Sequence, residues 1–155
     1  MIELDQPAPE FSLQDQNGRE VSLAQFKGTP IVLYFYPKDD TPGCTTEACA
    51  FRDARKDYEK AGAKVIGISP DTVKSHAKFV EKHELNITLL ADTEKSVCQN
   101  YGVWQEKTMY GKKSMGVVRS TFLIDGYGVV RQIFFKVKVD GHSEEVLAAI
   151  RSLKK

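Results

Sequence analysis

Ile31-Val32-Leu33-Tyr34-Phe35-Tyr36-Pro37-Lys38-Asp39-Asp40-Thr41-Pro42-Gly43-Cys44-Thr45-Thr46-Glu47-Ala48-Cys49 sets the architecture of this chain. Ile31 to Tyr36 is continuously apolar and β-prone, the pattern of a strand buried on both faces, and Pro37 ends it. From about Cys44 to Ala61 the apolar or small residues Ala48, Phe51, Tyr58 and Ala61 fall at helical spacings, with Gly62 as a stop. A cysteine thus stands where a buried strand gives way to a helix. In open α/β sheets, sites gather beyond the carboxyl ends of strands. A thiol at a helix N-terminus meets unpaired N–H groups and the positive end of the dipole, and both favour the thiolate. The Thr41 hydroxyl, three residues earlier, is placed to hydrogen-bond the sulfur.

Working outward, Phe11-Ser12-Leu13 and Val21-Ser22-Leu23 alternate around Asn17-Gly18, which predicts a β-hairpin. Ala63 to Ser69 reads as a second buried strand. Asp71 or Thr72 then caps a helix whose Val73, Ala77 and Val80 share one face. Thr88 to Ala91 is a third, short strand, and a short helix carrying Val97, Cys98 and Tyr101 follows. Gln105 to Gly116 is polar, holds two glycines and lacks periodicity, so a loop is expected. Val117 to Asp125 and Val129 to Phe135 are strands joined by the turn Gly126-Tyr127-Gly128. Ser143 to Leu153 closes as a helix, with Lys154 and Lys155 at its negative end. Strand–helix alternation implies a largely parallel central sheet, to which the last hairpin adds antiparallel strands. The expected class is α/β, with a mixed central sheet flanked by helices and an N-terminal β-hairpin; the pattern is compatible with a thioredoxin-like fold and also suits several other small α/β folds.

Composition narrows the function. The 155 residues are 41% hydrophobic, ordinary for one globular domain spanning residues 1–155. A chain of this length buries roughly 70% of its unfolded surface, so it needs no metal or disulfide scaffold to fold. With 22 basic and 21 acidic residues the net charge is +1, which speaks against a nucleic-acid-coating or polybasic membrane protein. The N-terminus shows no basic region followed by an apolar one, and no apolar run approaches the ~20 residues of a membrane span. The expected location is a reducing cytoplasm. Three cysteines, an odd number, do not make a secreted disulfide framework.

Against this background, Pro37-x-x-x-Thr41-x-x-Cys44 resembles the peroxiredoxin signature. Thr41-Pro42-Gly43-Cys44-Thr45-Thr46-Glu47-Ala48-Cys49 is similar to the peroxiredoxin Q (bacterioferritin comigratory protein) subfamily. Pro9-x-Phe11-x-Leu13, Tyr101-Gly102-Val103-Trp104 and Arg119-Ser120-Thr121-Phe122-Leu123-Ile124-Asp125 extend the likeness over essentially the whole chain. The resemblance implies a thiol peroxidase for hydrogen peroxide and organic hydroperoxides. Cys44 corresponds to the peroxidatic cysteine and Thr41 to the threonine whose hydroxyl contacts sulfur and peroxide. Pro37 corresponds to the proline shielding the pocket, and Arg119 to the arginine that polarises thiolate and peroxide. Chemistry agrees: a permanently charged guanidinium stabilises a thiolate and a leaving oxyanion, and free N–H groups at Gly43 and Cys44 can bind peroxide oxygens. The resemblance also implies a monomer without haem, flavin or metal, recycled by thioredoxin or a similar dithiol protein.

In the same resemblance Cys49 corresponds to the resolving cysteine of the branch that keeps it. Five residues on a continuous helix mean a rise of ~7.5 Å and a rotation of ~140°, hence ~8.5 Å between Cα atoms. A disulfide needs Cα atoms within about 7 Å. Resolution by Cys49 therefore requires the helix to unwind between about Cys44 and Phe51, with Pro42-Gly43 as a hinge and the modest helix formers Thr45 and Thr46 helping. Glu47 reads as a mainly structural acid complementing the dipole in the first helical turn, and Cys98 as a buried packing residue. His76, His83 and His142 read as solvated surface residues. A shared zinc site is not expected, because the cysteines are spaced Cys-x4-Cys and His76 and His83 stand ~10.5 Å apart along a helix. A dithiol oxidoreductase would want Cys-x-x-Cys, and neither that nor a Walker A or Gly-x-Gly-x-x-Gly motif is present. A binding module with a structural Cys44 is the remaining alternative.

Overall fold

The computed structural model describes residues 2–153. Its elements in chain order are β1 (Ser12–Asp15), β2 (Glu20–Ser22), a 3-10 turn (Leu23–Phe26), β3 (Ile31–Phe35), α1 (Pro42–Asp53), α2 (Arg55–Lys60), β4 (Lys64–Ser69) and α3 (Val73–His83). They continue with β5 (Thr88–Ala91), α4 (Ser96–Asn100), β6 (Trp104–Met109), β7 (Lys112–Val117), β8 (Ser120–Ile124), β9 (Val130–Phe135) and α5 (His142–Ser152). Seven strands form one mixed sheet in the order β2-β1-β5-β4-β3-β8-β9. Only β3, β4 and β5 run parallel, and both hairpins add antiparallel edges. This is the mixed α/β sheet of thioredoxin-like proteins.

All five residues of β3 are buried, because helices and loops cover both faces of the central strand. Ile31, Leu33 and Phe35 join one core cluster with Val97, Cys98, Tyr101 and Phe122. Val32, Tyr34 and Tyr36 face the other way, into a cluster with Cys44, Phe51, Tyr58, Phe79 and Val146. The strand period of two thus delivers the site to one face of the sheet. On that face the Tyr34 ring lies across Gly67 of the neighbouring strand, where an added Cβ would come within 2.8 Å of the ring. Only glycine fits beneath it.

Several expectations are corrected. The predicted helix from Cys44 to Ala61 is two helices, α1 beginning at Pro42 and breaking at Ala54 before α2. Gly62 does take the left-handed conformation just beyond it, at φ 80°. The polar stretch 105–116 is not a loop but the hairpin β6–β7, paired from Trp104 with Val117 to Met109 with Lys112. Its turn, Tyr110-Gly111, has φ of 54° and 79°, the sign pattern of a tight hairpin turn. On α3 the cap is Thr72, whose hydroxyl accepts from the Ser75 amide at 3.1 Å. The buried face of α3 carries His76 and Phe79 rather than Ala77, which is exposed. Lys154 and Lys155 lie outside the described residues. Among the described residues, no helix is long and apolar enough to cross a membrane.

Candidate active site

Thr41 is the N-cap of α1 and Pro42 its first helical residue, where a missing N–H costs nothing. The Thr45 amide already reaches back to the Thr41 carbonyl at 2.8 Å. Gly43 and Cys44 are therefore the first-turn residues whose N–H groups have no intrahelical acceptor, at the residue that carries the sulfur and the one before it. Cys44 is 2% exposed and holds a free thiol. Pro37 stands one residue beyond β3, after the buried Tyr36, and is half-buried in the short connection to Thr41.

Arg119 brings the charge. It lies in the link between β7 and β8, with its carbonyl accepting from the Val137 amide at 2.9 Å. Its Nη2 donates to Cys44 Sγ at 3.2 Å, while Nη1 pairs with Glu47. The same Nη2 stands 3.2 Å from where a Cβ on Gly43 would be, so a larger residue at 43 would crowd the guanidinium that holds the sulfur. That is a second reason for glycine beside the amide contacts foreseen at Gly43. Burial works against the guanidinium's charge, but the Glu47 carboxylate and the Cys44 sulfur outweigh it and hold Arg119 above its ordinary pKa.

Two expectations at the site change. The Thr41 hydroxyl donates to the Lys38 carbonyl at 2.9 Å, not to the sulfur. A hydroxyl has one proton, so Thr41 can only accept from a molecule entering beside Cys44. Glu47 is not in the first turn of α1, because that helix starts at Pro42. It is buried and ion-paired to the arginine that also holds the sulfur. Its second oxygen, Oε2, is buried with no partner among the described residues. Burial, against the pull of Arg119, raises its pKa from 4.5 to about 7.

That shift carries a stability prediction. A carboxyl whose folded pKa exceeds its unfolded one contributes stability below pH 4.5 that is lost as pH rises through about 7. The folded state should lose on the order of 3 kcal/mol across that window, at about 1.4 kcal/mol per pH unit. Glu47→Gln should remove most of this slope in denaturant titrations run at several pH values. An unchanged slope in the variant would place the titration elsewhere.

The sequence missed other residues. Lys107 of β6 stands in the field of the site: burial and the Arg119 charge push its pKa down, while the Cys44 sulfur pulls the other way. Nothing in a polar stretch without periodicity marks it. Two of the three histidines are not solvated surface groups. His76 is 0% exposed and His142 2%. His142 bonds Thr121 Oγ1 at 2.8 Å and Glu145 Oε1 at 2.9 Å, and desolvation lowers its pKa. His83 pairs with Asp40 at 2.8 Å. Partners far along the chain, Asp39 and Thr121, hold the His76 and His142 rings inside, and no local pattern announces such partners. Among the described residues, Asp39, Asp71 and His76 bring possible metal-ligating atoms within 4.8 Å of one another. Those atoms are engaged in hydrogen bonds to each other and to Ser69, Ser75 and the Asp39 amide. Cys49 is half-buried and shares the unbroken helix α1 with Cys44, so the two thiols are free. Cys98 is fully buried, and desolvation followed by the Asp92 carboxylate pushes its thiol pKa far up, as suits a packing residue.

The profile of the AhpC/TSA family matches residues 4–133, most of the chain. The chain belongs to that family. It is 51% identical over 149 residues to the putative peroxiredoxin bcp of Coxiella burnetii, covering 96% of this chain and 99% of the relative. Peroxiredoxin Bcp of Bacillus subtilis is 47% identical, with coverage of 98% and 97%. Among solved structures, peroxiredoxin Q of Xylella fastidiosa superposes with a TM-score of 0.93 at 34% identity, covering 98% of this chain and 97% of its own. The bacterioferritin comigratory protein of Xanthomonas campestris, studied for alkyl peroxide reduction activity, gives 0.88 at 43% identity with coverage of 92% and 90%. This peroxiredoxin is accordingly an enzyme, a thiol peroxidase of the peroxiredoxin Q (Bcp) type.

Proposed function

We propose that Cys44 is the peroxidatic nucleophile of this peroxiredoxin. Its thiolate attacks one oxygen of a hydroperoxide, a sulfur–oxygen bond forms and the O–O bond breaks. The products are a Cys44 sulfenic acid and an alkoxide or hydroxide that takes up a proton. The observation that carries the reading is the 3.2 Å contact from Arg119 to the Cys44 sulfur at the N-terminus of a helix. Arg119 and the Gly43 and Cys44 amides stabilise the charge that moves onto the leaving oxygen. Thr41 accepts a hydrogen bond from the hydroperoxide, and Pro37 walls the sulfur from water without offering a donor.

Cys49 then attacks the sulfenic sulfur, water leaves and the Cys44–Cys49 disulfide forms. Thioredoxin or a similar dithiol protein reduces it. Hydrogen peroxide and organic hydroperoxides are the substrates, in keeping with the alkyl peroxide reduction of the Xanthomonas relative. The cysteine supplies the nucleophile itself, so no haem, flavin or metal is called for. Residues 1–155 work as one thioredoxin-like domain, as a monomer in a reducing cytoplasm.

Intact mass after one equivalent of peroxide tests the scheme. Wild type should lose two hydrogens, and Cys49→Ser should gain one oxygen. The oxidised wild type should also lose far-UV helical signal, because α1 cannot stay wound across the bond. A disulfide with unchanged helicity would refute the unwinding, and an unmodified mass would refute Cys44 as nucleophile.

A further inference from the structure

The connection from β3 to α1, which carries Pro37 and Thr41, is tied to α3 by a buried side-chain network that the peroxidase reading leaves unused. Asp39 is its centre and is 8% exposed. Its Oδ1 accepts from Tyr36 Oη at 2.6 Å. Its Oδ2 accepts from Ser75 Oγ at 2.7 Å and lies 2.7 Å from His76 Nδ1. The Asp39 amide donates to Asp71 Oδ2 at 2.7 Å, which also accepts from Ser69 Oγ at 2.7 Å. His76, 0% exposed, completes the chain from its other nitrogen, 2.9 Å from the Leu90 carbonyl of β5.

Proton counting decides what His76 does. The Leu90 carbonyl can only accept, so Nε2 carries a proton. The Tyr36 hydroxyl also stands 3.4 Å from Nδ1, but its proton goes to Asp39 Oδ1 at 2.6 Å, so with Nδ1 bare that nitrogen and Asp39 Oδ2 would face each other as two acceptors at 2.7 Å. One further proton must lie between them. Histidine and carboxylate together therefore hold a shared proton that bonds the β3–α1 connection to α3 and through it to β5. Next along the chain, Asp40 is held at φ 60° by Lys82 at 2.7 Å and His83 at 2.8 Å, both at the end of α3. Thr41 follows at once.

We propose that His76 is a positioning residue for peroxide reduction: its proton-sharing bond to Asp39 sets the placement of Pro37 and Thr41 over Cys44. It touches neither sulfur nor substrate. The proposal rests on Cys44 being the peroxidatic nucleophile. What it adds is a separation of two reactivities. Attack on a hydroperoxide needs the pocket walls in place, whereas alkylation by iodoacetamide needs only the thiolate.

Two substitutions divide the ring's bonds. In His76→Asn the amide nitrogen stands near Nδ1 and can still donate to Asp39. In His76→Gln it stands near Nε2 and serves only Leu90. Stopped-flow oxidation by hydrogen peroxide and alkylation by iodoacetamide are measured on reduced wild type and both variants. Misplacing reactive geometry by about 1 Å costs on the order of 100-fold, so His76→Gln should react with peroxide at least ~10-fold more slowly. Its alkylation should stay within about twofold of wild type, and His76→Asn should keep peroxide reactivity within about threefold. A parallel fall of both rates, equal losses in the two variants, or unchanged peroxide reactivity in His76→Gln would each overturn the proposal. Nitrogen-15 NMR of the wild type tests it without any variant. A doubly protonated His76 ring, or a proton bridging to a protonated Asp39, is expected; a bare Nδ1 with no proton shared to Asp39 overturns it. A wild type inert to peroxide would instead refute the role of Cys44, a separate result from any difference between variants.

Discussion

Replacing Cys44 with serine should reduce peroxide turnover to background, a loss on the order of 10^4-fold or more. The reason is protonation state rather than shape. A serine hydroxyl fits the site and can still accept from the Arg119 guanidinium, but it does not ionise near neutrality and attacks an O–O bond poorly. The fold should survive, since Cys44 is buried in van der Waals contact with its own cluster and serine is no larger. The check is NADPH oxidation coupled through thioredoxin and its reductase, with thermal unfolding measured alongside. Folded Cys44→Ser that still turned over peroxide would return the reading to a cysteine elsewhere. Insulin reduction by the wild type would point instead to a dithiol reductase.

Arg119→Ala should have the next largest effect, and it should split into two parts. Removing a charge poised where negative charge develops costs about 10^2 to 10^3 in rate. Removing one member of a buried pair also leaves Glu47 uncompensated, with its side chain 1% exposed. Breaking such a pair costs ~3 kcal/mol or more when the remaining group stays charged. Glu47 escapes that cost by holding a proton, so the instability should grow as pH rises. The double variant Arg119→Ala/Glu47→Gln should recover stability in urea titrations and leave the rate low. Recovery of both together would mean that Arg119 acts on the reaction only by keeping the fold intact. Arg119→Lys should keep part of the stability but little of the rate, because one ammonium cannot reach both the sulfur and the carboxylate as the guanidinium fork does.

Much of this peroxiredoxin was legible along the chain. Ile31 to Tyr36 read as a covered strand, Asn17-Gly18 as a turn between alternating segments, and Cys44 as the residue where strand gives way to helix. Each follows from residues within a few positions of one another. The misreadings fall where local pattern is silent. The strands of β6 and β7 are mostly exposed, so no apolar alternation marks them, and Tyr110-Gly111 is a less common turn pair than Asn-Gly. The break at Ala54 occurs in a good helix former with neither proline nor glycine beside it. His76 and His142 looked like surface residues because polar side chains usually are, and Glu47 looked like a dipole-complementing acid because the helix start could not be placed to the residue.

By itself, then, the sequence determined the class of chemistry: a thiol at a helix start, a second cysteine that cannot reach it on an intact helix, and a mixed α/β scaffold to hold them. Only the tertiary structure decided which groups share the sulfur's environment. Arg119 meets Glu47 and Cys44 across 72 and 75 residues of chain, and His76 meets Asp39 across 37. Helix and strand periods are local, and so are caps and turns, so neighbouring residues can write them. The partner of a buried charge is chosen by where the sheet brings distant segments together, and that depends on all of the packing at once.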